Sequence, residues 1–213
     1  MSTNSHGDTL LVLVVDRSGS MQTIRDDMEG GIAALLKEQA QQPGKCRVTL
    51  AQFDTEYELV WRAVPIAEID HYQLMPRGNT ALLDALGRTI GEVKSELAAL
   101  PAVERPEHIV FAVVTDGMEN ASTEWTRDKV MSAVKEQMDA GWHFTFLGAN
   151  QDAIREGGNL GMVAAASLTY DAAPDASRAA MTALSASVAR LRTGAAKDIS
   201  YTDAERRRSR KKK

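Results

Sequence analysis

Residues 10–21 read LLVLVVDRSGSM. Six aliphatic residues run without a break into Asp16, and the chain then turns through Arg17, Ser18, Gly19 and Ser20. A short, Val-rich run with no alternation reads as a strand buried on both faces, as in the middle of a parallel sheet. The turn after it carries one carboxylate and two hydroxyls within five residues, just ahead of a helix expected from Met21. These are hard oxygen donors, suited to Mg²⁺ or Mn²⁺ and poorly to Zn²⁺ or Cu²⁺. Taken alone, the same residues read equally well as a helix cap.

Two further stretches bear on that choice. Arg77-Gly78-Asn79-Thr80-Ala81-Leu82 opens a second helix, and Val113-Val114-Thr115-Asp116-Gly117 ends a second apolar strand. Asp16-x-Ser18-x-Ser20, then Thr80, then Asp116-Gly117, resembles the metal-ion-dependent adhesion site of von Willebrand factor type A domains. The resemblance covers residues 9–170, and all five positions match by residue type. It implies that Asp16, Ser18, Ser20, Thr80 and Asp116 are metal ligands, Asp116 directly or through water, for Mg²⁺ or alternatively Mn²⁺. It further implies a binding module and not an enzyme, in which a protein partner's Asp or Glu completes the coordination. Bacterial members of the family often work beside AAA-type ATPases or in metal- and stress-related operons, and the resemblance makes an AAA-type ATPase system one expected partner.

Along the chain, residues 21–42 carry Met21, Ile24, Met28, Ile32, Leu35 and Leu36 at helical spacing, closed by Pro43-Gly44. Residues 47–53 and 58–64 read as strands, and the short join between them makes an antiparallel hairpin. Residues 81–100 and 126–140 are helices, with strands at 108–115 and 142–147. A short helix at 152–156 stops at Gly157-Gly158; a last strand at 167–170 and an Ala-rich helix at 173–193 follow. Strands alternating with helices predict an α/β, doubly wound and mostly parallel sheet with one antiparallel edge strand and helices on both faces, Rossmann-like. In such sheets ligands gather beyond the carboxyl ends of strands, where the strand order reverses. For an order 3-2-1-4-5-6 that crevice falls between the strands ending at Asp16 and Asp116.

Composition is that of an ordinary globular protein, 44% hydrophobic and 25% charged over 213 residues. The lone Cys46 allows no internal disulfide, and no stretch reads as a signal or a membrane span, so a cytoplasmic location is expected. The formal charge of −4 hides an asymmetry. Seven of the 25 basic residues are Arg206, Arg207, Arg208, Arg210, Lys211, Lys212 and Lys213, leaving 18 against 29 acidic ones, a body of net charge −11. An acidic body does not argue for a nucleic-acid-binding face; the basic end suits nucleic acid, acidic membrane lipid or an acidic partner, or reads as only a solvated end. The sequence divides into a disordered N-terminus over 1–8, the domain over 9–193, and a disordered basic tail over 194–213 whose removal leaves the melting temperature unchanged.

Near the three turns, Arg77 and Glu119 are expected on a partner-binding rim. Asp54 reads as an outer group of the site or as part of a turn. His71, His108 and His143 have no ligand spacing and read as structural. The rival is a Mg²⁺-dependent phosphatase or phosphotransferase of haloacid-dehalogenase-like type, which needs a second acid two residues after the first. Ser18 stands there. No phosphate-cradling Gly-x-x-x-x-Gly-Lys-Ser/Thr run exists.

Overall fold

The computed structural model describes residues 7–210. Its strands are β1 (Thr9–Asp16), β2 (Cys46–Phe53), β3 (Tyr57–Pro65), β4 (His108–Thr115), β5 (His143–Ala149) and β6 (Ser167–Tyr170). Its helices are α1 (Arg25–Ala40), α2 (Leu82–Ala99), α3 (Arg127–Asp139), α4 (Ala153–Asn159), α5 (Pro174–Arg192) and α6 (Asp203–Arg208). The sheet order is β3-β2-β1-β4-β5-β6, parallel throughout except for the β2–β3 hairpin. This is the expected α/β architecture, antiparallel edge included.

Every residue of β1 is buried. Leu11, Leu13 and Val15 face a core built with Ile32 and Leu35 of α1 and Leu184 and Val188 of α5. Leu10, Val12 and Val14 face the other side, against Leu86 and Ile90 of α2 and Val130 and Val134 of α3. A strand covered on both faces has no place for a polar alternate, which is why the run is unbroken. Each fully buried aliphatic side chain stabilises by roughly 1.5–3 kcal/mol.

Two boundaries differ from the sequence expectation. The first helix begins with a tight 3₁₀ segment, Gly19–Ile24, and becomes α-helical only at Arg25. Gly157-Gly158 does not stop α4 but lies within it. Glycine is needed at 157 because a Cβ there would meet Ser167 Oγ at 2.6 Å. At the β3 edge the pairing register slips between Val48 and Ala51, and Ala63 takes a left-handed φ of 45° while its N–H donates to Thr49 Oγ1. This irregular stretch bends the strand as a bulge does.

The disordered tail expected from residue 194 is a correction as far as Arg210. Ile199 and Tyr201 are buried, and the Tyr201 hydroxyl lies 2.6 Å from Thr145 Oγ1. Thr202 and Glu205 form a capping box on α6, and Glu205 also pairs with Arg190 at 2.8 Å. The Tyr201 N–H donates to the Ala165 carbonyl, Arg206 donates to the carbonyls of Ser167, Ala164 and Ala165, and the Asp171 N–H donates to Ser209. The anchors stand just ahead of a charge run that dominates the composition. Residues 211–213, and 1–6 of the N-terminus expected to be disordered, lie outside the described residues.

Candidate metal centre

β1 and β4 pair with Val15 opposite Val114, so Asp16 and Thr115 end the two strands side by side. The strand order reverses here, and the backbone leaves both strands as turns. Thr115 Oγ1 donates to Asp16 Oδ2 at 2.5 Å and the Ser18 N–H donates to Asp16 Oδ1 at 2.6 Å. Ser18 Oγ lies 3.1 Å from Ser20 Oγ, and Ser20 Oγ donates to Asp116 Oδ1 at 2.6 Å. The first and third turns are therefore already in contact.

Gly117 locates the second turn relative to them. A Cβ on Gly117 would lie 2.6 Å from Thr80 Oγ1, 3.3 Å from Asp16 Oδ2 and 3.4 Å from Ser18 Oγ. Oxygens from two turns thus surround a space that only glycine leaves open in the third. All five sequence-predicted positions fall in one cluster. Asp16, Ser18 and Thr80 are buried, Asp116 is half-buried and Ser20 is exposed, so the cluster opens to solvent on one side.

Its electrostatics follow from burial. Loss of water raises the Asp16 carboxyl above its ordinary range, against the hydrogen bonds from Thr115 and Ser18. Burial likewise pushes Asp116 up to about 6; the Ser20 hydroxyl opposes this and the charge of Asp16 adds to it. Among the described residues no group of three or more His, Cys, Asp or Glu side chains could hold a metal ion. This cluster has two carboxylates and reaches five donors through hydroxyls. An all-oxygen set of that kind fits a hard divalent cation and would leave it a net positive charge.

The surrounding polar network ties the turns together. Asp54, 1% exposed, accepts from Arg17 Nε at 3.0 Å and Arg77 Nε at 2.7 Å, and Arg17 also reaches Glu58 at 2.6 Å. Burial disfavours the Asp54 charge, but the Glu56 amide and the two guanidiniums outweigh it and hold the carboxyl below its ordinary range. Backbone bonds complete the link, from Arg77 N–H to Arg17 O and from Gly19 N–H to Gly78 O. Arg77 is thus paired with the buried Asp54 and the exposed Glu56, while its own side chain stays 56% exposed at the edge of the site.

Glu119, expected on the rim, is also tied into the fold. Its carboxylate accepts from the N–H groups of Leu83, Ala121 and Ser122 and from Ser122 Oγ, at 2.7–2.9 Å. Through Leu83 it satisfies one first-turn donor of α2, whose own N-cap residue Ala81 has no side chain able to do so. Two contributors were not legible in the sequence. Thr115 looks like one more β-branched strand residue, and Asn120, whose Oδ1 accepts the Thr80 N–H at 2.9 Å, looks like an ordinary loop polar.

The steric claim at position 117 is directly testable. Gly117→Ala is expected to cost about 1–3 kcal/mol in urea denaturation, the range for overpacking. Gly158→Ala in α4, where a Cβ meets nothing within 4 Å, is the control and should stabilise by up to about 1 kcal/mol. Equal effects at the two positions would remove the crowding argument.

No protein-family model matches the sequence, and no curated protein matches it. Solved structures do match. Proximal thread matrix protein 1 from the mussel byssus superposes with a TM-score of 0.57 at 14% identity, over 89% of this chain and 47% of its own. The von Willebrand factor domain of the type V pili tip protein Mfa5 from Porphyromonas gingivalis gives 0.56 at 11% identity, over 92% and 98%. This chain has the von Willebrand factor type A fold. The pilus adhesin SpaC from Lactobacillus rhamnosus GG aligns at 0.61 and 14% identity, over 86% of this chain and 31% of its own. The chain spans about half the length of the mussel protein. A further structure of that mussel protein has a zinc-occupied adhesion-site motif. At these identities the likeness speaks for the von Willebrand factor A fold. Within it, the oxygen cluster lies at the carboxyl edge of the sheet. No helix among the described residues is long and apolar enough to cross a membrane.

Proposed function

We propose that this chain is a divalent-metal-dependent protein-interaction module. Asp16, Ser18, Ser20, Thr80 and Asp116 would hold the ion, and an Asp or Glu of a protein partner would complete its coordination. The observation that supports this most is the convergence of Thr80, Asp16 and Ser18 oxygens on the space beside Gly117. The bound ion would supply a positive centre, with Mg²⁺ as the reading and Mn²⁺ as an alternative. The mussel protein's zinc-occupied site widens the class to divalent ions in general.

The chain's own residues account for the rest. Thr115 and the Ser18 amide orient the Asp16 carboxylate, and Ser20 orients that of Asp116. The three hydroxyls add dipoles without further negative charge, so an anionic partner group is attracted and not repelled. The phosphatase alternative gains nothing, since Ser18 stands where its second acid is needed and the nearest guanidiniums, Arg17 and Arg77, are engaged by Asp54. An AAA-type ATPase as the partner rests on the family resemblance alone, and a cytoplasmic location on the sequence reading of Cys46 and of the missing signal and membrane-span patterns.

The test is affinity capture by the immobilised full chain in Mg²⁺ and in EDTA, with Asp16→Ala as control. A partner retained only in Mg²⁺, and only by the unsubstituted chain, is the expected result. Its Asp→Asn or Glu→Gln change at the contact should weaken binding at least tenfold. Equal retention in EDTA would defeat the reading.

A further inference from the structure

Arg207, Arg208 and Arg210 are exposed, and their side chains make no ion pair or hydrogen bond among the described residues. Every other described arginine reaches a carboxylate or a backbone carbonyl. On a protein with a surplus of carboxylates, three neighbouring guanidiniums are left uncompensated. They are also held in place. The capping box, the Glu205–Arg190 pair and the Arg206 contacts to β6 fix the helix that carries Arg207 and Arg208, and the Asp171 N–H holds the Ser209 carbonyl just ahead of Arg210. The sequence continues with Lys211, Lys212 and Lys213.

Arg207 and Arg210 line a shallow depression of about 290 Å³ together with Arg206, Asp203, Thr169 and Ile154, the last 44% exposed. Thr169 is in register with Gly148, and Gly148 with Thr115. At about 4.8 Å per strand, the depression lies roughly 10 Å from the Thr115–Asp16 contact. The two features share one edge of the sheet.

We propose that this patch is a second contact for the protein partner, taking an acidic segment with an apolar side chain that seats on Ile154. The proposal rests on the metal-dependent reading above in assigning both contacts to one partner. The depression favours an acidic peptide over nucleic acid. No aromatic ring lines it on which a base could stack, and an extended polyanion would run on from the patch onto a body of net charge −11. A compact acidic segment meets the guanidiniums of Arg206, Arg207 and Arg210 against the one carboxylate of Asp203.

Fluorescence anisotropy on the full chain tests this, with a labelled Asp/Glu-rich dodecapeptide carrying one central Leu as the probe. Arg207→Ala/Arg208→Ala/Arg210→Ala should weaken binding about tenfold or more, with unchanged melting because these side chains hold nothing in the fold. Binding by the unsubstituted chain should weaken steeply as salt is raised. Mg²⁺ should add affinity that Asp16→Ala removes and the triple variant keeps. Unchanged affinity in the triple variant would overturn the patch. So would tighter binding of a single-stranded DNA dodecamer or of phosphatidylserine vesicles. An Asp16→Ala chain that keeps the Mg²⁺ increment would sink the metal reading alone, because the triple-variant comparison is made equally well in EDTA.

Discussion

Deleting residues 194–213 is expected to lower the unfolding free energy by about 3–6 kcal/mol. The loss comes from two side chains, Ile199 at 2% exposure and Tyr201 at 7%, each stabilising by roughly 1.5–3 kcal/mol through burial. Thr145 Oγ1 would lose the Tyr201 hydroxyl, although it keeps the Ala166 carbonyl at 2.7 Å. Ser187 would lose both its contacts with the Ser200 backbone, and Arg190 its carboxylate. Set against the 5–15 kcal/mol typical of whole domains, this is a large share. Urea denaturation measures it as a lower midpoint. A truncated chain within about 1 kcal/mol of the full one would restore the composition-based expectation of a dispensable tail. The arginine triple variant separates charge from anchoring, since it should melt as the full chain does.

Asp16→Ala is expected to abolish the stabilisation that a divalent ion confers on the folded chain. An ion that binds only the native state at one hundred times its dissociation constant stabilises by about 2.7 kcal/mol. Asp16 is central to the cluster through its contacts with Thr115 and Ser18, and its Oδ2 borders the space beside Gly117. The substitution leaves Thr115 Oγ1 within 3.1 Å of the Gly117 carbonyl, so the ion-free protein retains a partner there and stays folded. Scanning calorimetry with Mg²⁺, Mn²⁺ and EDTA gives the comparison. An equal thermal shift in both chains would mean that the ion binds elsewhere.

The sheet is legible because it depends on a local pattern, whereas the set of five oxygen positions comes from the family resemblance. An unbroken apolar run needs both faces covered, and a carboxylate with hydroxyls just past a strand end falls where the topology opens a crevice. What failed depends on long-range contact. Nothing near Arg77 and Glu119 in sequence reveals that Asp54 and the first turn of α2 engage them. Arg192 ends an amphipathic helix and looks solvent-facing, yet it is 1% exposed, its guanidinium donating to carbonyls of Gln39, Pro43 and Gly44. The C-terminal segment was misread because a run of like charges signals solvation. Two buried side chains and a capping box ahead of the run outweighed it.

The bulge near Ala63 and the C-terminal segment over β6 have a joint consequence for how this chain can be recognised. A sheet with a bare flank offers its unpaired N–H and C=O groups as a template for another strand, whether from a partner or from an aggregating copy. At one flank the irregular register of β3 spoils the spacing that such a template needs. At the other, Arg206, Tyr201 and Ser209 already occupy backbone groups along and beside β6. Partners that bind by strand addition, and fibrils that grow by it, are therefore turned away at both flanks.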